Sequence, residues 1–83
     1  MTNFQLVKFA YSRIGMKKTE YNRIKIVLVE KKKTNKELAA FLKNKPETVS
    51  RWCTNDSQPN IATLFKIAKF LGVKASALLV DQD

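Results

Sequence analysis

The stretch from Thr34 to Cys53, TNKELAAFLKNKPETVSRWC, decides how this chain folds. Thr34 and Glu37 have the spacing of a capping box, in which hydroxyl and carboxylate each satisfy a backbone N–H of the other residue. The spacing predicts a helix from Asn35 to about Leu42, with Leu38, Ala39 and Leu42 facing inward. Pro46 suits the first position of a following helix, where its φ is already helical and its missing N–H would have had no partner. That helix is expected to reach about Cys53. Its inward positions are Val49 and Trp52 or Cys53, and its outward ones Glu47, Thr48, Ser50 and Arg51.

Upstream, Tyr21, Ile24, Val27 and Leu28 recur at steps of three and four, which predicts a helix beginning near Glu20 and ending in Glu30-Lys31-Lys32-Lys33. Downstream, Thr54-Asn55-Asp56-Ser57-Gln58-Pro59 consists of turn-forming residues with no large apolar side chain and reads as a loop. Asn60 caps a fourth helix with an inward face of Ile61, Leu64, Phe65, Ala68 and Leu71, and Gly72 stands where a left-handed residue ends it. A short fifth helix over Ala75 to Leu79 would cover the core with Leu78 and Leu79, leaving Asp81-Gln82-Asp83 as a polar tail. Residues 1–19 form an N-terminal extension or arm ahead of a domain over 20–80. There Phe4, Val7, Tyr11 and Ile14 fit a helix, Phe4, Leu6 and Lys8 fit a strand equally well, and Gly15 allows the compact part to start near Met16. The apolar residues of this segment, Phe4, Leu6, Val7, Phe9 and Tyr11, require burial on the domain or across a dimer interface.

Composition narrows the function. A chain of 83 residues has room for one domain and one modest core. With 2 Gly and 2 Pro it is poorly supplied for hairpins or phosphate-cradling loops, so an all-α fold is expected. The absence of His and the lone Cys53 remove zinc fingers, disulfide frameworks and His-based catalysis. The carboxylates are scattered, so neither an enzyme nor a cofactor is expected. No run is long enough for a membrane span and no leader pattern opens the chain, from which a cytoplasmic location follows as an expectation. Sixteen Lys and Arg against 7 Asp and Glu give a net charge of +9, which calls for a polyanionic partner.

Two short helices joined by three or four residues, each with one apolar face, match a helix-turn-helix whose second helix enters the major groove of DNA. The order of residues is also distinctive: Thr34-Asn35-x-Glu37-Leu38-Ala39-x-x-Leu42, Thr48-Val49-Ser50-Arg51-Trp52, and Pro59-x-Ile61-x-Thr63-Leu64-x-Lys66-Ile67-Ala68-x-x-Leu71-Gly72-Val73, then Leu78-Leu79. This resembles the Cro/repressor family of helix-turn-helix proteins over roughly residues 20–80. The resemblance implies a compact five-helix DNA-binding domain that acts in transcriptional control, binds two-fold operators in double-stranded DNA and does so as a homodimer.

Carried over residue by residue, the base-reading positions are Arg51, Glu47, Thr48 and Pro46. Arg51 is suited to guanine, Glu47 either accepts from cytosine or, by repelling phosphates, selects against wrong sequences, Thr48 faces a base edge or a phosphate, and Pro46 has no hydrogen bond to donate. Asn35 stands where the family often has Gln, a residue that binds a phosphate and buttresses the recognition helix. Lys43, Lys45, Ser50 and Asn55 complete the expected phosphate contacts. Where the family turn has Gly and an aliphatic residue, this chain has Lys43-Asn44. A non-Gly residue at positive φ is better tolerated in Asn than in Lys, which leaves the register of Lys43 to Pro46 open by about one residue.

Trp52 reads as a core anchor, Cys53 as an inert thiol, and Lys31-Lys32-Lys33 either as a solvated helix end or as a phosphate contact. No small-molecule ligand is expected. The rival to a DNA-binding regulator is an antitoxin-like or accessory module that uses the same fold to hold a protein; RNA or membrane-surface binding by charge alone is a further alternative.

Overall fold

The computed structural model describes residues 19–81. Four α-helices follow in order: α1 (Ile24–Glu30), α2 (Asn35–Leu42), α3 (Pro46–Cys53) and α4 (Ile61–Leu71), then a 3-10 helix (Ala75–Leu78). The expected all-α class holds, and among the described residues there are four α-helices and a 3-10 helix where five helices were expected. The last element is one tight 3-10 turn, and only Leu78 of it is fully buried, whereas Leu79 is 45% exposed. The readings made for residues 1–18 lie outside the described residues.

α2 and α3 begin as their residues dictate. The Thr34 hydroxyl accepts from the Glu37 N–H at 3.1 Å and the Glu37 carboxylate accepts from the Thr34 N–H at 2.8 Å. Pro46 occupies the first turn of α3. α4 is capped by Asn60, whose side chain accepts from the Thr63 N–H at 2.8 Å. α1 starts later than expected, at Ile24 rather than near Glu20. Asn22 accepts from the Ile24 N–H through its side chain, and this turn diverts the backbone just before the helix. The residues before it pair with the end of the chain: Asn22 bridges Leu79 in antiparallel fashion, Arg23 N–H donates to Leu78 O at 2.7 Å and Val80 N–H to Tyr21 O at 3.0 Å. Tyr21 therefore stands outside the helical face, 57% exposed.

All four helices end in the same hydrogen-bonding pattern. After α1, Lys32 and Lys33 donate to Val29 O and Leu28 O; after α2, Lys43 and Asn44 donate to Ala40 O and Ala39 O. Asn55 and Asp56 repeat the pattern on Trp52 O and Arg51 O, and Gly72 and Val73 on Lys69 O and Ala68 O. This is the Schellman closure, which places one residue in the left-handed region, here Lys32 (φ 57), Lys43 (φ 57), Asn55 (φ 62) and Gly72 (φ 70). The open register of the α2–α3 turn is thus resolved in favour of Lys43, not Asn44, at positive φ, because that position alone returns both N–H groups to the end of α2.

The core is built from Ile24, Leu28, Leu38, Val49, Ile67 and Leu78, all fully buried, with Ala39, Trp52, Leu64, Ala68 and Leu71 around them. Leu42 and Cys53 pack against it only in part. α4 turns differently from its predicted face: Leu64, Ile67, Ala68 and Leu71 are buried, whereas Ile61 and Phe65 are 70% and 62% exposed. The helix is apolar around most of its circumference, so two overlapping stripes share Leu64, Ala68 and Leu71. At about 100° per residue, the buried one has Ile67 on its flank, and Phe65 is left on the opposite side.

Relieving a left-handed Lys should stabilise the domain. Lys32→Gly is expected to raise the unfolding free energy by about 0.5–1 kcal/mol, and Gly72→Ala to lower it by about 1–2 kcal/mol. No atom lies within 4 Å of a Cβ added at Gly72, so the second change tests backbone strain without a clash. Urea denaturation of both variants checks the pair.

Candidate nucleic-acid interface

α3 is held by its inner face and presents its outer one. Val49 is fully buried and Trp52 nearly so, while Pro46, Glu47, Ser50 and Arg51 are exposed and Thr48 is half-buried. These outward residues lie along one short helix that follows α2 through a turn carrying Lys43 and Lys45, both exposed. The expected base-reading residues are therefore on one accessible surface, with the turn lysines ahead of its N-terminal end.

Asn35, the first residue of α2, is half-buried. Its side-chain oxygen accepts from the Lys25 ammonium at 3.2 Å and from the Cys53 thiol at 3.5 Å, which joins α1, α2 and the last residue of α3 at one atom. Burial pushes the Cys53 thiol up from its ordinary pKa against the weaker opposing pull of the Lys25 charge, so the sulfur keeps the proton it shares with Asn35. Asn35 thus buttresses α3 directly.

Asn55, expected at a phosphate, is also engaged within the protein. Its side-chain oxygen accepts from the N–H groups of Tyr21 and Asn22 at 2.9 and 3.0 Å and from Gln58 at 3.1 Å, while its amide donates to Asn22 O at 3.2 Å. The amide group reproduces the pairing a neighbouring strand would offer, and its carboxamide faces the protein's own backbone. Asn22 completes the arrangement. It is the one buried polar residue among the described residues, and its amide donates to Trp52 O at 2.9 Å and to Gln58 Oε1 at 2.6 Å. The C-terminal end of α3 is therefore bolted to the segment that precedes α1.

A helix-turn-helix family profile matches residues 24–78. The chain belongs to the Cro/repressor type of helix-turn-helix family. Among solved structures, a "putative DNA-binding protein" of Bacteroides fragilis is similar to it, with a TM-score of 0.71 and 46% identity, covering 71% of this chain and 95% of its own. Among curated proteins, none matches. In this helix-turn-helix protein no helix of the described residues is long and apolar enough to cross a membrane.

Two residues of the site escaped sequence reasoning. Lys25 is one of 16 basic residues, and nothing local distinguishes it before α1 is seen to pack beside the start of α2. Asn22 carried a recognisable signal, a short polar residue two positions before an apolar periodic stretch, but the two groups to which its amide donates lie at least 30 residues away.

Asn22→Ala should cost about 1–3 kcal/mol, the range for leaving buried partners unsatisfied. Asn22→Asp should cost more, because a carboxylate would face the Trp52 carbonyl oxygen. Denaturation followed by the fluorescence of Trp52, the single tryptophan, reports both the loss and the altered surroundings of α3.

Proposed function

We propose that this protein is a small sequence-specific DNA-binding regulator of the repressor type, which docks α3 in the major groove of double-stranded DNA. The observation that carries the reading is the division of α3: Val49 and Trp52 are sunk in the core, and Pro46, Glu47, Ser50 and Arg51 are left free on the far side. Arg51 reads guanine by paired hydrogen bonds, Glu47 accepts from cytosine, Thr48 contacts a base edge, and Pro46 contributes only van der Waals contact. Asn35, Lys43, Lys45 and Ser50 hold phosphates, with Asn35 orienting α3 at the same time. Asn55 acts through the loop it fixes. The net charge of +9 and the name of the Bacteroides fragilis neighbour support a nucleic-acid partner.

The protein acts as a homodimer in the cytoplasm. Ile61 and Phe65, one turn apart on α4 and both largely exposed, offer apolar surface for a second copy. In a two-fold complex the paired α3 helices sit about 34–36 Å apart, one turn of DNA, on a near-palindromic site.

Arg51→Ala is expected to lose about 1–3 kcal/mol on a site selected from random duplexes and to relax preference at one base pair, while Lys45→Ala weakens all sequences alike and lowers the salt slope by about one unit. Equal loss on selected and random DNA for the Arg51 change would remove it from base readout. Phe65→Glu should shift the species in solution toward the monomer, as read by sedimentation, with the helical circular dichroism unchanged.

A further inference from the structure

Between the end of α2 and the outer side of α4 lies a shallow groove of about 480 Å³, lined by Phe41, Leu42, Lys43, Lys66 and Lys69. Phe41 is 48% exposed, and its ring lies 4.8 Å from that of Phe70 at an interplanar angle of 35°. The Lys33 ammonium stands 5.5 Å from the centroid of the Phe70 ring and adds a cation beside the same aromatic pair. No carboxylate lines the groove. Among the described residues none forms a hydrogen bond or ion pair with the side chains of Lys43, Lys66 or Lys69, so these residues supply no partner for the three charges.

Two properties therefore coincide among the described residues: an apolar floor that they leave uncovered, and a rim of like positive charge that they leave without a counter-charge. A phosphate backbone would answer the rim and leave Phe41 and Leu42 wet. A purely apolar segment would cover the floor and leave three ammonium groups beside it, partly desolvated and unpaired. The occupant that meets both carries one or two large apolar side chains flanked by Asp or Glu, and the groove is of a size for side chains rather than a duplex.

We propose that this groove docks an acidic amphipathic segment of a partner protein. Its apolar side chains lie on Phe41 and Leu42, and its carboxylates face Lys43, Lys66 and Lys69. The outward residues of α3 do not line the groove, so the segment and a partner of α3 use different side chains, with Lys43 alone common to both. The inference goes beyond DNA recognition and stands whether or not α3 binds DNA.

The test measures fluorescence anisotropy of a short labelled peptide in which Leu and Phe are interspersed with Asp and Glu, titrated with the full chain. A second peptide carries Ser in place of Leu and Phe, and a labelled duplex of random sequence is run in parallel. The amphipathic peptide is expected to bind, and the Ser peptide to bind at least about tenfold more weakly. Lys66→Glu combined with Lys69→Glu should weaken the amphipathic peptide by about tenfold. Phe41→Ser should weaken it as well, and the surface charge reversals keep the test decisive where the Phe41 change lowers stability. Absence of binding, equal binding of the two peptides, or a charge reversal that weakens the duplex and leaves the amphipathic peptide unchanged overturns the proposal.

Discussion

The hydrogen bond from the Asn22 amide to the carbonyl of Trp52 is the constraint on which the rest of this small domain turns. Trp52 is the large side chain that seats α3 in the core, so a bond to its backbone fixes the helix at the point where it is most heavily anchored. The same carboxamide begins α1 and reaches Gln58 in the following loop. One buried polar group thereby sets the mutual position of α1, α3 and the loop before α4. A core of this size has few apolar contacts with which to specify a single arrangement, and a fully satisfied polar group adds direction to forces that have none.

The helices are short, from 7 to 11 residues, and such lengths are marginal in isolation. Closure of every helix end by two backbone bonds compensates in part, because the last turn is held by the chain that leaves it. Three of the four left-handed positions are Lys or Asn, and the domain tolerates their strain since each closure also aims the next element. Lys43 shows the exchange well. Its backbone supports the turn between α2 and α3, and its ammonium is delivered to the surface between α2 and α4.

Features with a local cause were legible in the residues. The capping box at Thr34, Pro46 at the start of α3, Asn60 at the start of α4 and Gly72 at its end each act within a few positions, and each stands where the pattern put it. The outward set of α3 followed from the inward pair Val49 and Trp52. What could not be read depended on distant partners. Tyr21 fits a helical spacing with Ile24 and Leu28, yet pairing with Val80 draws it out of the helix. Ile61 and Phe65 fit the predicted stripe of α4 as well as Ile67 does, and only the placement of α2 and the 3-10 helix chooses between them. Asn55 carries every mark of a surface turn residue, and its engagement with Tyr21 and Asn22 across more than 30 positions leaves no local trace.

The antiparallel bridge between Asn22 and Leu79 gives the domain a mechanical character. The two chain segments it joins lie side by side with Thr19 and Asp81 leaving from the same end, so tension between those points peels the hydrogen bonds one after another rather than shearing them together. The next bonds in line are those of Asn55 and Asn22. A pull on the ends therefore reaches the rear of α3 before it reaches the hydrophobic core, and once the bridge has opened the hold on α3 is the next part of the molecule under load.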